Sequence, residues 1–207
     1  MTTTVRSPDF GFLTERIRNI LFTPEAEWTK IEAEPASAQS LFLGYACVLA
    51  AIGPLARLIG SQLFGYPAFF SVFRPTLIGA LSSAVVGYLL SLAALFLLAL
   101  VIDALAPTFG GVQDRISALK VATYSSTAAW IADGFNLLPP VSALAIIGLY
   151  SLYLLYLGLP KLMKTPQDKA LAYVGVIIIV YLIFYMIVAS IAVSIASRGT
   201  TTAVGLH

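Results

Sequence analysis

The sequence predicts an all-α integral membrane protein: five transmembrane helices preceded by short amphipathic interfacial helices. Three observations carry that prediction. Five apolar stretches each approach or exceed the ~20 residues that a helix needs to cross about 30 Å of hydrocarbon. Of 207 residues, 59% are hydrophobic and only 11% charged, with a mean hydropathy of +0.91; a soluble domain carries roughly twice that charged fraction. Finally, nine of the twelve Lys and Arg fall on one side of the stretches when successive connections are assigned to alternate faces.

The amino-terminal segment, residues 1–40, is polar to amphipathic. Leu13, Ile17, Ile20 and Leu21 recur at helical spacing, with Arg16 and Arg18 on other faces. That pattern predicts a short helix lying on the membrane with its basic side toward the headgroups. Thr23 followed by Pro24 reads as a hydroxyl cap and a first-turn proline, with Glu25 and Glu27 favoured by the positive helix end. Trp28 and Ile31 are expected to face the membrane from this second helix, which ends before Pro35. A basic start, an apolar core and a small-residue cleavage site do not occur together in the first forty residues, so no cleaved signal peptide is expected.

The transmembrane domain is read as residues 41–196, with spans over 41–64, 77–105, 116–138, 141–159 and 171–196, and a short external tail over 197–207. The first span carries Pro54 and Arg57, the second ends beside Asp103, and the third is the most polar, holding Lys120, Thr123 to Thr127, Asp133 and Asn136. Only Leu138 to Val141 separate the third and fourth, which predicts a tight antiparallel pair. Arg6, Arg16, Arg18, Lys30, Arg115, Lys120, Lys161, Lys164 and Lys169 share one side, and Arg57, Arg74 and Arg198 the other. The excess of basic residues on inner loops places the first group, and the amino terminus, in the cytoplasm. The carboxyl terminus is then external.

Charges inside membrane helices are candidate functional residues by default. At ~1.5 Å per residue, Arg57 lies about 24 Å and Asp133 about 26 Å from the cytoplasmic interface, so the two are expected to meet. Asp103 falls near the cytoplasmic face, level with Lys120 and Arg115, which predicts a second pairing there. Neutralisation of buried charge is one reading of both pairs; a polar path or gate between the first and third spans is the other. On the fourth span Tyr150, Tyr153 and Tyr156 share one side, and the hydroxyls of the deeper two are expected to meet Tyr124, Ser125 and Ser126.

Several chemistries are excluded. Cys47 is the single cysteine and His207, the last residue, the single histidine, so no intrachain disulfide, histidine triad or multi-cysteine metal site is available. Asp103 and Asp133 are expected near opposite faces, too far apart to share a proton. No serine elbow or phosphate loop occurs. No catalytic residue, cofactor or metal is expected, and a net charge of +2 gives no reason to expect nucleic acid.

The run LYSLYLLYLGLPKLMKTPQDKA from Leu149 to Ala170 combines the tyrosine spacing with Gly158-Leu159-Pro160 and Lys164-Thr165-Pro166. It resembles bacterial members of the Yip family, the Ypt/Rab-interacting-protein-like five-span membrane proteins. The third-span sequence LKVATYSSTAAWIADGFNLLP and the amino-terminal RIRNILFTPEAEWTKIEAEPAS, with Pro24, Trp28 and Ile31, are similar to the same family. The resemblance implies five spans, a cytoplasmic amino terminus and a bacterial cytoplasmic membrane. Eukaryotic relatives are associated with trafficking and Rab binding, but their Asp-Leu-Tyr-Gly-Pro type motif is replaced here by Glu34 to Gln39. A non-enzymatic membrane organiser or adaptor is therefore the expected function. It would engage lipid, or a membrane or cytoplasmic protein, through Leu13, Ile17, Ile20, Pro24 and Trp28 and the basic loop of Lys161, Lys164 and Lys169. A small transporter or channel along the third span is the alternative. Small residues in the second and third spans permit close packing within a subunit or in a homo-oligomer.

Overall fold

Two helices open the structure, a computed structural model that describes residues 10–68 and 71–200. Helix α1 (Phe10–Phe22) turns at Thr23 into α2 (Pro24–Ala33). Pro24 occupies the first turn of α2, where a missing N–H costs nothing. The Thr23 hydroxyl donates back to the Asn19 carbonyl at 3.1 Å rather than capping α2, closing the end of α1 instead.

Helix α3 (Ala38–Leu63) opens with a reciprocal cap, in which Ser40 N–H donates to Ser37 Oγ at 3.0 Å and Ser37 N–H to Ser40 Oγ at 3.1 Å. One wide turn, Phe42–Ala46, re-aims Tyr45 into the bundle. A second irregularity falls at Ala51, three residues before Pro54, because proline has no N–H for the Ala50 carbonyl. An antiparallel hairpin of β1 (Tyr66–Ala68) and β2 (Ser71–Phe73), with Pro67 opposite Val72, follows α3.

Helix α4 (Leu77–Phe109) starts where Thr76 Oγ1 accepts from Gly79 N–H at 3.2 Å, and ends before Gly110, which takes the left-handed φ of 74°. Helix α5 (Arg115–Ser125) is capped by Asp114, whose Oδ1 accepts from Ile116 N–H at 3.0 Å. The chain bends at Ser126 into α6 (Thr127–Ala132). There the hydroxyls of Ser125 and Ser126 both donate to the Ala122 carbonyl, a back-bonding that bends helices. A 3-10 turn over Asp133–Leu137 completes this passage. Helix α7 (Val141–Leu162) begins inside a 3-10 stretch, Pro139–Leu149, and is α-helical over Tyr150–Leu162. Helix α8 (Gln167–Thr200) ends the described chain.

The core forms around α5 and α6. Every residue from Ala118 to Ser125 is buried, and alanines let the neighbours approach closely. Glycines on α3 do the same from the other side: a Cβ on Gly60 would lie 2.6 Å from the Leu137 carbonyl oxygen. Among the described residues, four helices are long and apolar enough to cross a membrane: Ala38–Leu63, Leu77–Phe109, Val141–Leu162 and, within α8, Gln167–Phe184. The third expected span falls short of that measure, being broken at Ser126 and carrying Lys120 and Asp133. It still runs the length of the bundle, with Lys120 against the end of α2 and Asp133 against Arg57 on α3. Arg6 and the tail over 201–207 lie outside the described residues.

One expectation needs correction here. Ile20, Trp28 and Ile31 are sealed inside the protein and Leu13 is buried with them, so these apolar faces do not rest on lipid. Trp28 lies against α7, where a Cβ on Gly158 would fall 2.8 Å from the indole. Periodicity identifies an apolar face, but the bundle, offering α5 and α7 at this end, covers it first. The packing yields a prediction. Gly158→Ala should push Trp28 outward and cost about 1–3 kcal/mol, the usual penalty for overpacking. Gly87, whose added Cβ meets nothing within 4 Å, is the control. Thermal unfolding in detergent, with a red-shifted tryptophan emission for Gly158→Ala alone, checks it.

Candidate functional site

Both helices of the amino-terminal hairpin carry charge on their buried faces. On α1, Arg16 follows Leu13 by three and precedes Ile20 by four, so it shares their side. On α2, Glu27, Ile31 and Glu34 recur at the same spacing. Folding brings the faces together: Arg16 Nη1 donates to Glu27 Oε1 at 2.6 Å, and Nη2 donates to Glu34. Arg16 is 3% exposed and Glu27 2%. The guanidinium also sits between two rings, 5.0 Å from the centroid of Phe12 and 5.5 Å from that of Tyr124, a favourable cation–π arrangement. Lys30 approaches the second Glu27 oxygen at 3.4 Å from the surface.

Tyr124 is the floor of this cluster. Trp28 meets it edge-on at 6.4 Å and Tyr45 at 4.9 Å, and the Tyr45 hydroxyl is 2.9 Å from Thr127 Oγ1. Lys120, four residues earlier on α5, donates to the carbonyls of Ile31 at 2.8 Å and Glu34 at 2.6 Å. The Ile31 carbonyl belongs to the last turn of α2 and the Glu34 carbonyl to the residue just past it, where acceptors have no partner within the helix and the helix dipole favours a cation. The ammonium therefore fastens the far end of the hairpin. Outside the bundle, Lys164 pairs with Glu32 and Lys161 Nζ donates to Thr29 Oγ1 at 3.3 Å. A cavity of about 380 Å³ opens beside them, lined by Glu32, Val112, Asp114, Ser117, Leu162 and Lys164. The Lys164 hydrogen bond holds the Glu32 carboxyl below its ordinary pKa, and the Ser117 hydroxyl does the same for Asp114.

The sequence-derived pairs fare differently. Arg57 Nη2 and Asp133 Oδ1 lie 3.3 Å apart at the opposite end of the bundle, both partly exposed, with Asn136 Nδ2 donating to the same oxygen at 3.3 Å. The expected pairing of Asp103 with Lys120 or Arg115 does not form. Lys120 is taken up by the α2 carbonyls, and Arg115 is exposed at the start of α5. Asp103 Oδ1 is buried and makes no hydrogen bond among the described residues, while Tyr173 beside it donates to the Ile102 carbonyl.

The tyrosine ladder is also redirected. Tyr150 donates to the Leu21 carbonyl at 3.1 Å, at the end of α1, and its ring leans on Tyr153 at 5.4 Å. Ser125 and Ser126 bond within their own helix, and it is Ser151 Oγ that joins α7 to this passage, accepting from Ala129 N–H at 2.9 Å. Tyr156 is half-buried, and Pro160 sits inside the α-helical part of α7. Among the described residues, no group of three or more His, Cys, Asp or Glu is placed to hold a metal. Arg16, Glu27, Glu34 and Tyr45 are the cluster members that the sequence reading missed. The signal for the first three was the shared spacing of one cation on one amphipathic helix and two anions on the next.

Removing one partner of a buried ion pair strands the other, at about 3–5 kcal/mol. Arg16→Met should therefore loosen the hairpin by that order, and Arg16→Met with Glu27→Leu should recover most of the loss. Hydrogen exchange over α1 and α2 reads it directly. The Glu32–Lys164 pair predicts a pH effect of known sign. A carboxyl lowered in the folded state stabilises above its ordinary pKa, and that contribution is lost as pH falls through the lowered value. Exchange in α2 should rise over that acidic window, and Glu32→Gln should flatten the rise.

Comparison with known proteins returned one family. The family model described as Yip1 domain matches residues 18–189, from within α1 to well into α8. No curated protein and no solved structure matches. With its apolar crossing helices and a match over far more than half of its length, this chain is a multi-pass membrane protein that belongs to the Yip1-domain family.

Proposed function

We propose that this protein is a non-enzymatic organiser or adaptor of membranes, and that the α1–α2 hairpin is its working element. One observation carries the reading: the buried charges Arg16, Glu27 and Lys120 are all spent on fixing that hairpin to the bundle. A hairpin held this rigidly presents a constant outer face, on which Glu15, Arg18, Phe22 and Glu25 are exposed. The non-enzymatic part of this reading is supported by the family match, whose description names no enzymatic activity. The distribution of charge supports a cytoplasmic setting for the hairpin end. Lys30, Lys120, Lys161 and Lys164 gather there, while Arg57 lies at the other end. A bacterial cytoplasmic membrane fits this orientation.

Transport along the third passage is the competing reading. Its supporting feature is the Arg57–Asp133 pair, and against it stands the burial of Ala118 to Ser125 in protein. Two experiments separate the readings. Proteoliposomes of the wild type should be no leakier to protons, potassium or chloride than empty vesicles, and Asp133→Asn should change nothing; a flux that Asp133→Asn abolishes would favour transport. Photo-crosslinkers placed at Arg18 and Glu25 in native membranes should give discrete adducts that weaken when Arg16→Met loosens the hairpin. Adducts indifferent to that change would remove the hairpin from the function.

A further inference from the structure

The turn of the hairpin lies deeper than its attachment points. Helix α2 runs parallel to the α-helical part of α7, and three contacts give the register. The Leu21 carbonyl accepts from Tyr150, Trp28 lies on Gly158, and Thr29 and Glu32 meet Lys161 and Lys164. From Lys161 back to Tyr150 is eleven residues, about 16 Å of axial rise. The turn at Phe22 and Thr23 therefore sits that far inward from the lysine level.

The 3-10 stretch sets where the lipid boundary falls. Pro139–Leu149 rises ~2 Å per residue, so it spans about 20 Å by itself. Of about 30 Å of hydrocarbon, only ~10 Å remains for the α-helical part, which places the boundary close to Tyr156. Tyr150, six residues further in, lies about 9 Å inside it. Next to the turn, the lipid-facing belt of α7 continues through Leu149, Leu152 and Tyr153, all exposed. Phe22 at the tip is 79% exposed. Arg18 and Glu25 stand about one turn back on either arm and limit insertion to the tip.

We propose that the α1–α2 turn is a shallow re-entrant wedge, with Phe22 seated in the acyl region of the leaflet at the hairpin end. The lipid bilayer is its direct partner. The wedge adds cross-section to one leaflet only, since the other end of the bundle carries no matching helical hairpin among the described residues. This deepens the reading of the hairpin as the working element and rests on it, naming lipid as what the tip engages.

The test uses the full chain in vesicles of phosphatidylcholine and phosphatidylglycerol, with Cys47→Ser and a single nitroxide-labelled cysteine. Labels at Phe22→Cys and, with Phe22 retained, at Thr23→Cys should collide with dissolved oxygen several-fold more than with a water-soluble nickel chelate, relative to the ratio at Thr29→Cys. That depth signature supports the wedge. Labels at both 22 and 23 that favour the nickel chelate, as at 29, overturn it. The crosslinking result at Arg18 and Glu25 is independent of this outcome, so the wedge and the adaptor reading fail separately.

Discussion

The Arg16–Glu27 contact is the constraint on which the arrangement of the amino-terminal half depends. A guanidinium and a carboxylate removed from water each lose several kcal/mol of hydration, recovered only by close pairing and further hydrogen bonds. Arg16 has no alternative once α1 lies on the bundle, because its neighbours on that face are Leu13, Ile20 and the Tyr124 ring. The pair therefore fixes the angle between α1 and α2, and Glu34 extends the lock to the end of α2. Breaking the angle would expose Ile20, Trp28 and Ile31 together, so the apolar and ionic terms act on the same geometry.

How far the sequence revealed this structure depends on the kind of partner each residue finds. The apolar runs at Leu41, Leu77, Val141 and Leu171 are legible because lipid recognises composition alone. The amphipathic faces of α1 and α2 were legible as faces, yet their partner was not. A stripe of Leu13, Ile17 and Ile20 is equally suited to lipid and to protein, and only the fold decides. Lys120 illustrates a second limit. Reading charges against charges leads to Asp103, whereas the ammonium chose two backbone carbonyls, acceptors that every residue carries and no sequence distinguishes. The Arg57–Asp133 approach could be anticipated in depth because the irregularities at Phe42–Ala46, Ala51 and Ser126 are local, and change the summed rise of either passage too little to part the two residues.

The 3-10 stretch was illegible for a different reason. Pro139 and Pro140 supply no N–H to the first turns, but the eleven residues that follow the narrower helix look like any apolar span. The change in rise has consequences beyond α7. Had the whole of Val141–Leu162 been α-helical, about 20 residues of it would lie within hydrocarbon, and α2, with Glu27 and Lys30, would be pressed against lipid-embedded helix. Stretching the first half moves the α-helical half outward. It leaves Gly158, Lys161 and Lys164 at or beyond the boundary, where a charged helix is tolerated beside them. The same displacement leaves Tyr150 about 9 Å inside the boundary, its hydroxyl satisfied by the Leu21 carbonyl rather than by water. A local choice of helix type at one end of α7 thus sets the depth at which the amino-terminal hairpin can dock at the other.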